Sequence, residues 1–370
     1  PPEVRELWTG LRGLVAAGGT VVLITHKLDE VVEVSEAITV MRAGATVARL
    51  RTAGSTPRDI ARAMVGRDVA LALDAAPEAV LGARAEQAIV LDAATERASG
   101  PRPSVLQTKP GPAALAVRDL VVASLRRARE IDTLSFDLAP GEILGVAGVE
   151  GNGQTELVEA IAGLTPIAAG TVTLAGRDVT GLDVRARADA GLSHIPEDRH
   201  RRGLLLDYSV ADNLVLGLQH HYAARGALAR LFGATFDRGR VAETARRLVA
   251  EYDIRPADPA LPARALSGGN QQKIVVAREM TGRDYHVLLA AQPTRGVDVG
   301  AIEFIHDQLR RARAAGKAVL LVSADLAEVL ALADRVAVMY RGRFAAVLPR
   351  AEATVERLGP LMTGVVGAAA

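Results

Sequence analysis

At 370 residues, with 49% apolar and 24% charged side chains, the chain has material for more than one cored domain and the composition of an ordinary globular protein. Its 44 basic and 43 acidic residues leave a net charge of +1, so no electrostatic footprint marks it for nucleic acid. The absence of cysteine excludes a disulfide framework and a thiolate zinc site and suits a reducing cytosol, and no run approaches the roughly 18 apolar residues of a membrane span.

The opening Pro1 to Arg5 lacks the shape of a signal peptide, so membrane association is expected only through another subunit. Val4, Leu7, Leu11 and Val15 recur at helical spacing and predict a helix over Glu3 to Ala17, which Gly18-Gly19 ends. The run Thr20-Val21-Val22-Leu23-Ile24 predicts a strand, and Thr25-His26-Lys27-Leu28-Asp29-Glu30 follows it. This opening recurs at the end of the chain. At an offset of 298 residues Gly18 falls on Gly316, Val21 on Val319, Glu30 on Glu328, Val40 on Val338, Met41 on Met339 and Gly66 on Gly364. The register holds without a gap, so residues 1–66 repeat 299–364. If the complete module begins near Ala114, about 185 residues of the first copy are expected upstream of Pro1, and the chain opens inside a domain.

Residues 70–112 are rich in Ala, Pro and Ser and punctuated by Gly100-Pro101-Arg102-Pro103 and Lys109-Pro110-Gly111-Pro112. They read as a linker, with a short helix or strand at Gln87 to Ala94. The expected division is a partial module at 1–69, the linker, and a complete module at 113–366. In the latter, strands are predicted at Leu115 to Val122, Thr133 to Leu138, Ile143 to Ala147, Gly170 to Leu174 and Ala190 to Pro196. A charged amphipathic helix is predicted at Phe236 to Glu251. Strands alternating with helices place the chain in the α/β class.

Between the strand Ile143 to Ala147 and the helix-like Leu157 to Ile161 lies Gly148-Val149-Glu150-Gly151-Asn152-Gly153-Gln154-Thr155. Glycines without Cβ let backbone N–H groups close on a phosphate, and the helix N-terminus adds partial positive charge. The phosphate-loop pattern G-x-x-x-x-G-K-[ST] is met except at one position: Gln154 stands where a lysine reaches the β- and γ-phosphates, while Thr155 keeps the hydroxyl that binds Mg²⁺. Nucleotide contacts are expected from Gly148, Glu150, Gly151, Asn152, Gly153, Gln154, Thr155 and Glu156.

Further on come Leu266-Ser267-Gly268-Gly269-Asn270-Gln271-Gln272-Lys273, with helix-like Ile274 to Met280, and the strand and turn from Val287 to Asp298. With these the chain resembles the ATP-binding-cassette ATPases, and the ending Asn-Gln-Gln-Lys resembles their importers of sugars and nucleosides. The resemblance implies a P-loop cassette: a mixed sheet with helices plus a helical subdomain, here preceded by the C-terminal tail of a first cassette. It implies a signature at Leu266, Ser267, Gly268, Gly269, Asn270 and Gln271 that closes on ATP held by the opposite cassette. It places the D-loop acid at Asp298 and a Q-loop at Glu197, within His194 to Arg199.

The same resemblance marks losses. Ala291 replaces the aspartate that orders the Mg²⁺ shell, and Gln292 replaces the glutamate that polarises the attacking water. Glutamine cannot accept that water's proton, and losing a general base typically costs roughly 10²- to 10⁴-fold. His26 matches the switch histidine of the family, a catalytic residue, whereas its repeat partner Ala324 has lost it. Gln154, Ala291, Gln292 and Ala324 are therefore expected to converge on one disabled pocket. No aromatic residue occurs from Ala123 to Thr133, where one usually stacks on adenine. The resemblance implies ATP and Mg²⁺ as cofactors, with Thr155 on the metal. Implied partners are transmembrane permease subunits, an extracytoplasmic substrate-binding protein and a paired cassette, at the cytoplasmic face of a bacterial plasma membrane. The expected function is energy coupling in nucleoside import, with simple sugars as the alternative. A soluble ABC protein of translation or repair, and a catalytically silent nucleotide-binding module, represent other classes.

Overall fold

A computed structural model of the chain describes residues 2–25, 28–42, 45–65, 112–123, 130–223 and 236–364. His26, the body of the expected linker with Gln87 to Ala94, and most of the stretch searched for an adenine-stacking aromatic lie outside the described residues. Within the described residues the chain divides into two compact units: the N-terminal segment together with 297–304, and the remainder. No helix among them is long and apolar enough to cross a membrane.

The N-terminal unit contains helices α1 (Pro2–Ala16) and α2 (Leu28–Val34), the antiparallel pair β1 (Ala37–Arg42) and β2 (Ala45–Arg51), and α3 (Pro57–Val65). Thr56 and Asp59 exchange hydrogen bonds across the first turn of α3, which fixes where that helix starts. Ile60 and Ala61 on α3 then bury against Leu28, Ile38 and Val40.

The second unit begins with β3 (Leu115–Val122), β4 (Ile131–Leu138) and β5 (Ile143–Ala147), followed by α4 (Gln154–Ala162). It continues through β6 (Ala169–Leu174), β7 (Arg177–Asp178), α5 (Val184–Asp189) and β8 (Leu192–Ile195). A helical region carries α6 (Val210–Leu214), α7 (Arg238–Glu251) and α8 (Gly268–Thr281). The chain then returns through β9 (Val287–Ala291), α9 (Val299–Ala314), β10 (Ala318–Val322) and α10 (Leu326–Leu332). It closes with β11 (Arg335–Tyr340), β12 (Arg343–Pro349) and α11 (Val355–Thr363).

Two sheets organise this unit. One has the order β12-β11-β5-β10-β9-β8, parallel except for the edge strand β12; the other is antiparallel, in the order β4-β3-β6-β7. Every residue of β5, β9 and β10 is buried, as expected of strands covered on both faces. Leu157, Val158 and Ile161 of α4 share one core with residues of both sheets, including Leu120, Val172, Leu289 and Leu320. That packing fixes the start of α4 at the C-terminal end of β5, where ligands bind in open α/β sheets.

The internal repeat is present in the structure. α2, β1, β2 and α3 begin and end 298 residues before α10, β11, β12 and α11. The irregularity between Val40 and Met41 in the β1–β2 ladder recurs between Val338 and Met339 in the β11–β12 ladder.

Several elements differ from the sequence reading. Thr20 to Ile24 form no strand, and Val22 and Ile24 are 83% and 93% exposed. The repeat explains this, because β10 at 318–322 is held between β5 and β9, whereas no described strand lies beside 20–24 to supply a ladder. Helix α8 starts at Gly268 and not beyond Lys273, because Ser267 caps it and the signature glycines form its first turn. β4 begins two residues early, at Ile131. α5 and α6 are six and five residues long, too short for periodicity to show; both begin at side-chain caps, Asp183 and Ser209.

Candidate nucleotide site

The loop after β5 is shaped by three glycines with different tasks. A Cβ on Gly148 would lie 2.6 Å from the Met339 carbonyl oxygen, so only glycine allows that approach. Gly151 and Gly153 have φ of +86° and +111°, in the left-handed region. Gly153 is the N-cap of α4 and provides no side-chain cap, so the first-turn N–H groups lack that partner. Asn152 anchors the loop to the β11–β12 turn: its Oδ1 accepts from Arg341 N at 2.9 Å, and its carbonyl accepts from Gly342 N at 2.7 Å.

The side chain of Gln154 turns into the loop. Its Oε1 accepts from Asn152 N at 3.1 Å and its Nε2 donates to Val149 O at 3.0 Å. A lysine has no acceptor and could not make the first of these bonds. Thr155 Oγ1 donates to Glu197 Oε2 at 3.0 Å, and Arg295 Nη1 donates to Glu197 Oε1 at 2.6 Å.

These groups border a cavity of about 570 Å³. Gly148, Glu150, Gly151, Gln154 and Thr155 line it from the loop; Asn152, Gly153 and Glu156 do not. The four substituted positions, Gln154, Ala291, Gln292 and Ala324, all line it, together with Glu197. Gln292 Oε1 accepts from Ala324 N at 3.1 Å, so neither position brings a titrating group to the cavity. Gln292 N in turn donates to Val322 O at 2.7 Å, which ties the end of β9 to the end of β10.

None of Leu266 to Gln271 lines the cavity. Ser267 Oγ accepts from Asn270 Nδ2 at 2.9 Å, and Asn270 Oδ1 accepts from Arg255 N at 2.8 Å. The Gln271 amide is buried: its Nε2 donates to Ala263 O and Leu266 O, and its Oε1 lies 2.8 Å from His200 Nε2. Asp298 lies in the unit that contains the N-terminal segment, where its Oδ1 accepts from Ala301 N at 2.9 Å and so starts α9.

Three cavity residues escaped the sequence reading. Arg199, at the end of the segment read as a Q-loop around Glu197, donates from Nη1 to Arg295 O at 2.8 Å and from Nη2 to Gly296 O at 3.2 Å, which makes it a clamp on the segment after β9. Arg295 reaches Glu197 and lies 3.6 Å from Glu150. His194 has a buried Nε2 without a hydrogen-bond partner, and its pKa is lowered to about 4, chiefly by desolvation against the opposing pull of Glu279. Alternation along β8 is the sequence signal that aims His194 away from Ser193 and Ile195.

The residues fit a nucleotide. An uncapped helix start, a loop with open space at Gly151 and an adjacent cavity suit a polyphosphate. No group of three or more His, Asp or Glu side chains placed to hold a metal occurs among the described residues. Mg²⁺ typically uses one or two carboxylates, waters and substrate phosphate, so Thr155 and Glu197 fit a reduced shell that lacks any ligand from Ala291.

Comparison with known proteins agrees with this geometry. Residues 131–295 match the family model of the ABC transporter. The chain is 38% identical over 364 residues to the nucleoside import ATP-binding protein NupA of Lactococcus lactis, covering 98% of this chain and 65% of that protein. It is 39% identical over 366 residues to the guanosine import ATP-binding protein NupO of Bacillus subtilis, covering 98% and 64%. The glucose import ATP-binding protein TsgD13 of Haloferax volcanii is 36% identical over 368 residues, covering 98% and 60%. The chain thus spans somewhat less than two thirds of the length of these relatives. Among solved structures, the ADP conformation of the ATP-binding cassette MJ1267 superposes with a TM-score of 0.54 at 20% identity, over 68% of this chain and 95% of that one. Residues 131–295 thus match the ABC transporter family model, and the fold of the second unit is that of an ATP-binding cassette.

Proposed function

We propose that the chain is the ATP-binding, energy-coupling part of a bacterial ABC importer for nucleosides. In this reading residues 1–69 are the tail of a first cassette, 70–112 a linker, and 113–366 a second cassette that binds nucleotide and hydrolyses it slowly or not at all. The observation that carries it is that the phosphate loop and all four substituted positions line one cavity. The repeat, down to the shared ladder irregularity, supports the tandem arrangement. The choice of nucleosides rests on the likeness to NupA and NupO, and the likeness to TsgD13 keeps simple sugars as the second reading.

The loop N–H groups and the start of α4 bind phosphate, and Thr155 with Glu197 holds Mg²⁺, which supplies charge neutralisation. Gln292 can orient a water by hydrogen bonding but cannot take its proton, and Ala324 offers only a backbone N–H already bonded to Gln292. The signature from Leu266 to Gln271 and His26 would serve the other nucleotide of a cassette sandwich, with Asp298 at the crossing between cassettes. Permease subunits, an extracytoplasmic binding protein and the cytoplasmic membrane face complete the assembly.

Purification from the native host and uptake assays in a deletion strain test this. Recovery of a multispanning permease, with loss of nucleoside uptake and intact ribose uptake, is expected. Loss of ribose uptake alone moves the assignment to sugars, and ribosome association without a permease overturns it. The codons upstream of Pro1 are expected to encode a phosphate loop, a signature and an Asp-Glu pair within about 185 positions.

A further inference from the structure

A phosphate site needs positive charge aimed at it, and position 154 offers none: Gln154 is neutral and its amide is used inside the loop. Arg295 is placed to replace it. Its Nη1 lies 2.6 Å from Glu197 Oε1 and 3.6 Å from Glu150 Oε1. Glu150 belongs to the phosphate loop, and the second oxygen of Glu197 accepts the Thr155 hydroxyl. The guanidinium is therefore tied to both ends of the loop. Its main chain is held by Arg199 and by the Arg295 N to Gln292 O hydrogen bond of 3.0 Å, whereas its side chain is 55% exposed.

An exposed ion pair contributes little, so a phosphate can displace the two carboxylates at small cost. The planar guanidinium matches phosphate oxygens in pairs, better than a point charge. Two neighbouring cations are otherwise engaged, since Arg199 serves the carbonyls of Arg295 and Gly296 and Arg202 pairs with Glu159 at 2.8 Å. Arg201 also lines the cavity and is the competing cation, but it is not tied to the phosphate loop as Arg295 is. Without Arg295 an incoming phosphate would meet Glu150 and Glu197 uncompensated. We infer that Arg295 is the phosphate-binding cation of this cavity, standing in for the absent lysine, with Glu150 and Glu197 holding it in place until a nucleoside di- or triphosphate takes their position. This rests on the nucleotide-binding reading above.

Equilibrium binding of Mg-ATP to the intact chain, with adenosine as the phosphate-free comparison, tests the inference. Arg295→Ala is expected to weaken ATP about 10- to 100-fold and adenosine less than about twofold, with Arg295→Lys intermediate. In a Gln154→Lys background, where the loop regains its own cation, Arg295→Ala is expected to cost less than about threefold. Arg295→Gln, which keeps a polar, uncharged side chain longer than alanine's, repeats the comparison should the alanine variant unfold. ATP affinity unchanged in Arg295→Ala and Arg295→Gln, an equal loss with and without Gln154→Lys, or a loss confined to Arg201→Ala overturns it. An unmodified chain that binds no ATP would remove the functional reading as well; one that binds ATP equally with and without Arg295 removes only this inference.

Discussion

The amide oxygen of Gln292 accepts a hydrogen bond from the backbone N–H of Ala324 at 3.1 Å, joining the two positions where a carboxylate and a histidine are expected from the family resemblance. A glutamate at 292 would accept the same bond but would lack the switch histidine, the acid at 291 and the loop lysine. Gln292→Glu alone is therefore expected to leave phosphate release within about threefold of the unmodified chain. Substituting Gln154→Lys, Ala291→Asp, Gln292→Glu and Ala324→His together is expected to raise it by more than about tenfold. Phosphate release measured on the single and the fourfold variant checks this, and a large gain from Gln292→Glu alone would contradict it.

Thr155 and Glu197 share a hydrogen bond that must open for both to face a metal. Thr155→Ala removes the hydroxyl ligand. The expected result is a loss of most of the gain in ATP affinity that Mg²⁺ brings, with affinity in excess chelator changed by less than about threefold. Titrations with and without the metal separate these effects.

His194 gives stability a pH dependence. Its pKa falls from 6.5 when unfolded to about 4 when folded, because burial beside Arg202 disfavours the imidazolium more than Glu279 and Glu159 favour it. The unfolded chain therefore takes up the proton first. This contribution is fully present above pH 6.5 and is lost as the pH falls toward 4, by up to about 3 kcal/mol. Urea unfolding between pH 7 and 4 is expected to show a shallower decline in His194→Gln than in the unmodified chain.

The buried pair Arg335 and Glu142 joins the start of β11 to the turn before β5, and Arg335 also donates to Asp137 O at 2.7 Å. Arg335→Met leaves Glu142 as an uncompensated buried charge, 1% exposed, and is expected to destabilise the second unit by about 3–5 kcal/mol. The double variant Arg335→Met, Glu142→Leu is expected to recover much of that loss in chemical denaturation.

The elements legible in the sequence were those with strong local patterns. β3, β5, β6 and β8 followed from apolar runs bounded by glycine and proline, and α7 from helical spacing. The strand expected at Thr20 to Ile24 failed for a non-local reason, since a strand exists only where a neighbour supplies a ladder. Arg295 and Arg199 were overlooked because an arginine in a turn is ordinary until its partners, 98 and 96 residues away in sequence, are known.

The sequence by itself determined the repeat and the phosphate loop with glutamine at 154, because both are written in residue identity and spacing, whereas the substitutions at 291, 292 and 324 are what the family resemblance implies. Only the tertiary structure decided that those four positions line one cavity, that the Gln154 amide is used within its own loop, and that Arg295 reaches Glu150 and Glu197. These depend on which strand ends are brought side by side, which is a property of the sheet order and not of any local stretch.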